Sequence, residues 1–270
     1  MTCDPSVLSI DDRRIGAFAD FLRQSETADP FDFCSRSEGF IYPERGGEGV
    51  LEMFFFACAH QFGFWTLDGD RWRAPMVARL DGRDLKGSDF LWRACTRALQ
   101  ADPAAFQPAA LARQPDAGLD ALFHDDAGNN PLPMWPEHLD LIRGYARWFA
   151  DQASSPAGVL RRVQTAPRPL NALLETLAAI PGYAEDPLQK KAMLLAIVLE
   201  NRPEHFLAVA DPGSAVPIID YHLQRSVLRT GLVRVAPSAL RRKLETRRRV
   251  EPAEEEAVRA AAYEAIARLM

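Results

Sequence analysis

Apolar residues recur every three to four positions along most of this chain, the spacing of amphipathic helices rather than of half-buried strands. A helix starts at Ser9-Ile-Asp-Asp and carries Phe18, Phe21 and Leu22 on one face. Residues 27–48 hold Pro30, Pro43, Gly46 and Gly47 and read as a loop, and a buried helix over about 49–60 follows. Its Phe54-Phe55-Phe56 run is core material. Ser88 caps a helix to Leu99, on which Phe90, Leu91, Ala94, Cys95 and Ala98 share helical spacing. Prolines break residues 101–135 into short helices, and a longer amphipathic helix spans 137–152.

The second half repeats this grammar. Ser154-Ser-Pro-Ala-Gly is linker-like and marks a boundary between two packed helical lobes, residues 1–153 and 154–270, within one globular unit. Helices are expected over 170–180, 188–199 and 221–230, with two more from Arg241 onward. Pro181-Gly182 ends the first, and Gly231 supplies a left-handed cap to the third. An extended run, residues 216–219, leads into Asp220. The expected fold is therefore all-α, with few or no short strands.

Composition narrows the partners. With 47% hydrophobic and 26% charged residues the chain can bury a core. Its net charge of −5 argues against a protein that coats duplex DNA. The local run Arg241–Arg249, RRKLETRRR, is basic; it reads either as a phosphate-binding surface or as a solvated helix face. Cys3, Cys34, Cys58 and Cys95 form no CxxC pair, so no metal site is signalled and no cofactor is expected. Scattered thiols behind an N-terminus without an apolar signal core fit a cytoplasmic protein. The apolar run 50–65 carries Glu52, His60 and Gln61 and is too short for a membrane span.

Two segments carry candidate chemistry. The first joins Ile180-Pro-Gly to Lys190-Lys191-Ala192 as helix, hairpin, helix. The second places a single carboxylate, Asp220, at the start of a helix that continues Tyr221-His222-Leu223-Gln224-Arg225. Asp220, His222, Arg225, Arg229 and Gly231 resemble, in order, the V-D-x-H-V-x-R-x-x-x-R-x-G pattern of the helix–hairpin–helix DNA glycosylase superfamily. The hairpin differs from that superfamily's L-P-G-x-G form, because the second glycine is absent.

A second resemblance spans about residues 50–235. Gln61-Phe62-Gly63-Phe64-Trp65, Lys86-Gly87-Ser88, Lys190-Lys191-Ala192-Met193 and Asp220-Tyr221 onward are similar to blocks of the queuosine salvage proteins. Those proteins are N-glycosylases that release queuine from a nucleotide and resemble the same superfamily. The chain departs from their pattern at Gln61, Gly63 and His222, and has no proline after Leu223.

These resemblances imply hydrolysis of a base–sugar bond in a small deazapurine nucleotide or nucleoside. Asp220 would stabilise the positive charge that develops on the sugar and activate water. Gln61, Phe62, Phe64, Trp65, Tyr221, His222 and Arg225 are the expected substrate-binding residues. Lys190 or Lys191 would be a Schiff-base nucleophile only in a lyase-type mechanism; otherwise they are a surface pair on a helix. Asp220 also suits a plain helix cap, and the two roles are compatible. A base-excision glycosylase acting on DNA or RNA, and a non-catalytic module that binds a nucleotide or a protein partner, are the alternatives.

Overall fold

The computed structural model describes residues 7–27, 29–34 and 41–270. Cys3, residue 28 and residues 35–40 of the expected loop lie outside the described residues. In chain order the elements begin β1 (Leu8–Ile10), α1 (Asp12–Gln24), α2 (Val50–Ala59), β2 (Trp65–Asp68), β3 (Arg71–Pro75), β4 (Val77–Leu80) and β5 (Arg83–Lys86). Then come α3 (Ser88–Ala101), α4 (Pro108–Arg113), α5 (Asp116–Ala121), α6 (Trp135–Asp151), α7 (Pro156–Gln164) and α8 (Pro169–Leu177). The chain closes with α9 (Lys190–Asn201), α10 (Tyr221–Thr230), β6 (Val233–Val235), α11 (Ala239–Glu245) and α12 (Pro252–Ala267).

The described residues are mainly α-helical, as the apolar spacing predicts. The six short strands pair only as two-stranded ladders, β1 with β6, β2 with β3 and β4 with β5. The sequence reading missed them because each is three to five residues long, too short to display a period-two pattern.

The chain divides into two compact units, and not at the expected 153/154 boundary. One comprises Met1–Asp29, Leu67–Arg73 and Val216–Met270; the other comprises Pro30–Thr66 and Ala74–Ala215. The physical reason is long-range pairing. Helix α2 packs against α3, α7 and α9, which joins the presumed N-terminal lobe to the hairpin region. Likewise β1 pairs antiparallel with β6, so the N-terminus folds with the C-terminal helices. As a consequence the hairpin residues 178–189 lie in the larger unit and Asp220 lies in the smaller one.

In the smaller unit, α12 packs on α10, β1 and β6. Its core gathers Leu8, Ile15, Val227, Val233, Val258 and Ala262, all nearly inaccessible to solvent. Asp11 caps α1 by accepting a hydrogen bond from the Arg14 backbone N–H at 3.0 Å. Gly231 ends α10 at φ +73°, the left-handed cap expected from the sequence.

In the larger unit, Phe54, Phe55 and Phe56 are fully buried on α2, as expected of core residues. Between α8 and α9 the chain turns at Pro181-Gly182. Gly182 has φ +96°, and a Cβ there would sit 2.6 Å from the Ala59 Cβ. Gly182→Ala is therefore expected to cost about 1–3 kcal/mol through backbone strain and crowding against α2. Thermal unfolding would register this as a fall in Tm of roughly 2–4 °C per kcal/mol. No helix among the described residues is long and apolar enough to cross a membrane.

Candidate active site

Asp220 is the N-cap of α10. Its backbone is extended, at φ −103° and ψ −179°, and its Oδ1 accepts from the Leu223 backbone N–H at 2.8 Å. An aspartate at this position satisfies one of the donors that every helix start leaves unpaired. Asp220 is half-buried, whereas Ile219 just before it is buried at 1% exposure. Pro217 and Ile219, both buried, thus pin the approach, and the carboxylate stands where the helix begins.

The next residues set rings and charge along the first turns of α10. Tyr221 is 39% exposed, and its ring lies 4.0 Å from the His222 ring, tilted by 35°. Arg225 Nη2 lies 3.0 Å from His222 Nδ1, an i,i+3 contact along the helix surface. Two depressions of the smaller unit, of about 230 and 560 Å³, are bordered by α1 and by β6 respectively, and Asp220 lines neither.

The other expected site residues belong to the larger unit. Phe62 is half-buried and stacks on His138 at 4.1 Å between ring centroids. Phe64 is 7% exposed; its carbonyl accepts from the Met76 N–H at 2.7 Å, and its Cβ packs against Gly87. It is a core wedge rather than the rim of a pocket. Trp65 is half-buried at the start of β2, and Gln61 is 7% exposed.

Neither lysine fits the picture of a solvated surface pair. Lys190 Nζ donates to the Gln61 carbonyl at 3.0 Å. Lys191 is 8% exposed, its Nζ donates to the Gly182 carbonyl at 2.7 Å, and the ammonium sits 4.6 Å from the Phe62 ring centroid. The cause lies in the hairpin. Gln189 at φ +56° has no capping side chain, and Asp186 Oδ2 instead accepts from the Lys191 N–H at 2.9 Å. That cap rolls the first turn of α9 so that both ammonium groups reach main-chain carbonyls. Both lysines hold segments in place, Lys190 the 61–65 run and Lys191 the Pro181-Gly182 turn.

A buried histidine pair went unpredicted. His60 Nδ1 and His138 Nδ1 are 3.0 Å apart, and both rings are 1% exposed. Two facing Nδ1 atoms at this distance share one proton, so the rings hold opposite tautomers when both are neutral. His138 Nε2 is buried without a hydrogen-bond partner. Burial, then His138 and Lys191, hold the His60 imidazole well below its ordinary pKa. Burial and Lys191 hold His138 at about 3. Nothing in the sequence links His60 to a residue 78 positions away.

These depressed values predict acid sensitivity. The unfolded chain protonates both rings below about pH 6.5 while the folded chain does not. Stability is therefore fully present above that pH and falls on acidification toward pH 3. The expected slope is about 1.4 kcal/mol per pH unit for each ring that stays neutral. Urea unfolding between pH 7 and 5, above most carboxylate titration, measures it, and His138→Phe should flatten the profile.

Among the described residues no cluster of three or more His, Cys, Asp or Glu side chains is arranged to hold a metal ion. Cys58 and Cys95 are buried free thiols. Comparison with protein-family models and with curated proteins yields no match for this chain.

Proposed function

We propose that the protein is an N-glycosidase that hydrolyses the base–sugar bond of a small deazapurine nucleotide or nucleoside, in the manner of the queuosine salvage proteins. The observation that carries this reading is the capped carboxylate of Asp220. It opens a helix on which His222, Arg225, Arg229 and Gly231 keep the glycosylase order. Departure of a base leaves positive charge on the sugar ring. A half-buried carboxylate whose one oxygen is fixed by a backbone N–H keeps its other oxygen for that charge, or for the proton of an attacking water. Tyr221 supplies an exposed flat ring next to it, and Arg225 and His222 supply groups for a phosphate or a base edge.

The lysines are assigned positioning roles, because each ammonium already donates to a main-chain carbonyl. Hydrolysis by water, without a Schiff base, follows from that assignment. The test is a substrate panel read by chromatography: 7-deazaguanine nucleotides, the matching nucleosides and modified oligonucleotides, each with and without borohydride. Release from the small substrates, with no borohydride-trapped adduct, is expected. Release from oligonucleotides alone, or a trapped lysine adduct, would overturn the assignment in favour of a base-excision enzyme.

A further inference from the structure

Helix α1 is loosely held in the smaller unit. Ile15 is its one buried residue, and among the described residues it packs extensively on no other helix or strand. From Asp20 through Thr27 every residue is exposed. Phe21 shows 62% of its surface and Leu22 shows 45%. The Phe21 ring lies beside Phe18 of its own helix, 6.0 Å between centroids. A helix this short draws most of its stability from a packed apolar face. Here two of the four large apolar side chains, Ile15, Phe18, Phe21 and Leu22, meet water instead.

A hollow adjoins this exposed face. The depression of about 230 Å³ is lined by Arg14, Ala17, Phe18 and Phe21, a single stripe at helical spacing, with Thr230 and Leu232 as its other wall. Ala17 is the small residue of the stripe, and Phe21, one turn on, is a large one. Hollow and knob thus share one helix, about 6 Å apart along its axis. A second copy of the helix, turned antiparallel, sets its Phe21 against Ala17 of the first while its own Ala17 receives Phe21 of the first. That reciprocity is what a two-fold contact between like chains requires. The charges agree with it. Asp12 and Arg23 are paired within the chain, with Arg268 and Asp20. Arg13 near the start of the helix, and Glu26 and Asp29 beyond its end, stand exposed. Antiparallel pairing brings these unlike charges together at both ends, whereas parallel pairing would oppose like ones.

We propose that α1 is the contact helix of a homodimer, paired antiparallel with α1 of a second copy through Phe21 and Ala17. A membrane surface would use the apolar side chains but has no need of the hollow. The alternation of acidic and basic residues from Asp12 to Asp29 also gives anionic lipid no net attraction. One helix laid on another is a small contact, so the dimer is weak and depends on concentration. The inference is independent of the glycosidase reading and survives if that reading fails.

Sedimentation equilibrium of the full-length protein, from low micromolar to submillimolar concentration, tests it. The mass should rise from that of one chain toward that of two. Phe21→Glu, at an exposed position, should raise the dissociation constant by about thirtyfold or more. Ala17→Phe fills the hollow and leaves Phe21 in place, and it should break the dimer as well. R13E and E26R should each weaken association roughly fivefold at low salt, and R13E/E26R, which exchanges the charges, should restore it. The proposal is overturned by a one-chain mass at every concentration, by Phe21→Glu associating as tightly as the wild type, or by a double charge variant that recovers nothing. It is equally overturned if the protein stays monomeric and co-sediments with phosphatidylcholine vesicles through Phe21, which would give the patch to a membrane.

Discussion

Asp220→Asn should lower the rate of base release by about 10²–10⁴ while leaving the folded state almost untouched. The separation of the two effects follows from the geometry. Asparagine is as good an N-cap as aspartate, and its amide oxygen can keep the 2.8 Å bond from the Leu223 N–H. What it loses is the negative charge, and with it both the stabilisation of a cationic sugar and the capacity to take a proton from water. Substrate affinity, read by calorimetry, should change little. Asp220→Ala removes the cap as well, and should add about 1 kcal/mol of destabilisation to the same catalytic loss. If Asp220→Asn released base at the wild-type rate, the residue would be a cap and nothing more.

Arg202→Met should be the most destabilising single change in the larger unit. Arg202 is fully buried at the end of α9. Its guanidinium donates to Glu204 through Nε at 2.9 Å and Nη2 at 2.8 Å. It also reaches the carbonyls of Phe33, Pro43 and Glu44, and lies over the Phe54 ring. Burial alone would raise the Glu204 carboxyl, but the bonds from Arg202 and from the Gly46 N–H outweigh it and hold it below the usual range. One side chain therefore ties the loop before α2 to the end of α9. Methionine fills similar volume but leaves Glu204 and the carbonyls without that partner, which costs about 3–5 kcal/mol. That is a large share of the stability of an ordinary domain. Urea unfolding would show a lower midpoint, with Arg202→Lys intermediate because it keeps charge without the two-pronged fit.

The helices were legible because their signals are local. Tyr221–Thr230 could be placed from an aspartate before it and a glycine after it, and the buried phenylalanines of α2 from apolar density alone. The unit boundary was not legible, because β1 pairs with β6 across more than 200 residues and three-residue strands carry no pattern. The candidate carboxylate was visible as a residue, and its cap geometry followed from position. The environment of Lys190 and Lys191 was not visible, since it depends on Asp186 capping α9 from five residues upstream of Lys191. The His60–His138 pair is a product of tertiary packing and leaves no trace in local sequence.

Incubating the purified full-length protein with queuosine 5′-monophosphate, and separating the products by chromatography, addresses the central claim most directly. Free queuine should accumulate with the wild type and fall to near background with Asp220→Asn. If wild-type protein neither liberates the base nor binds the nucleotide, the glycosidase assignment is wrong.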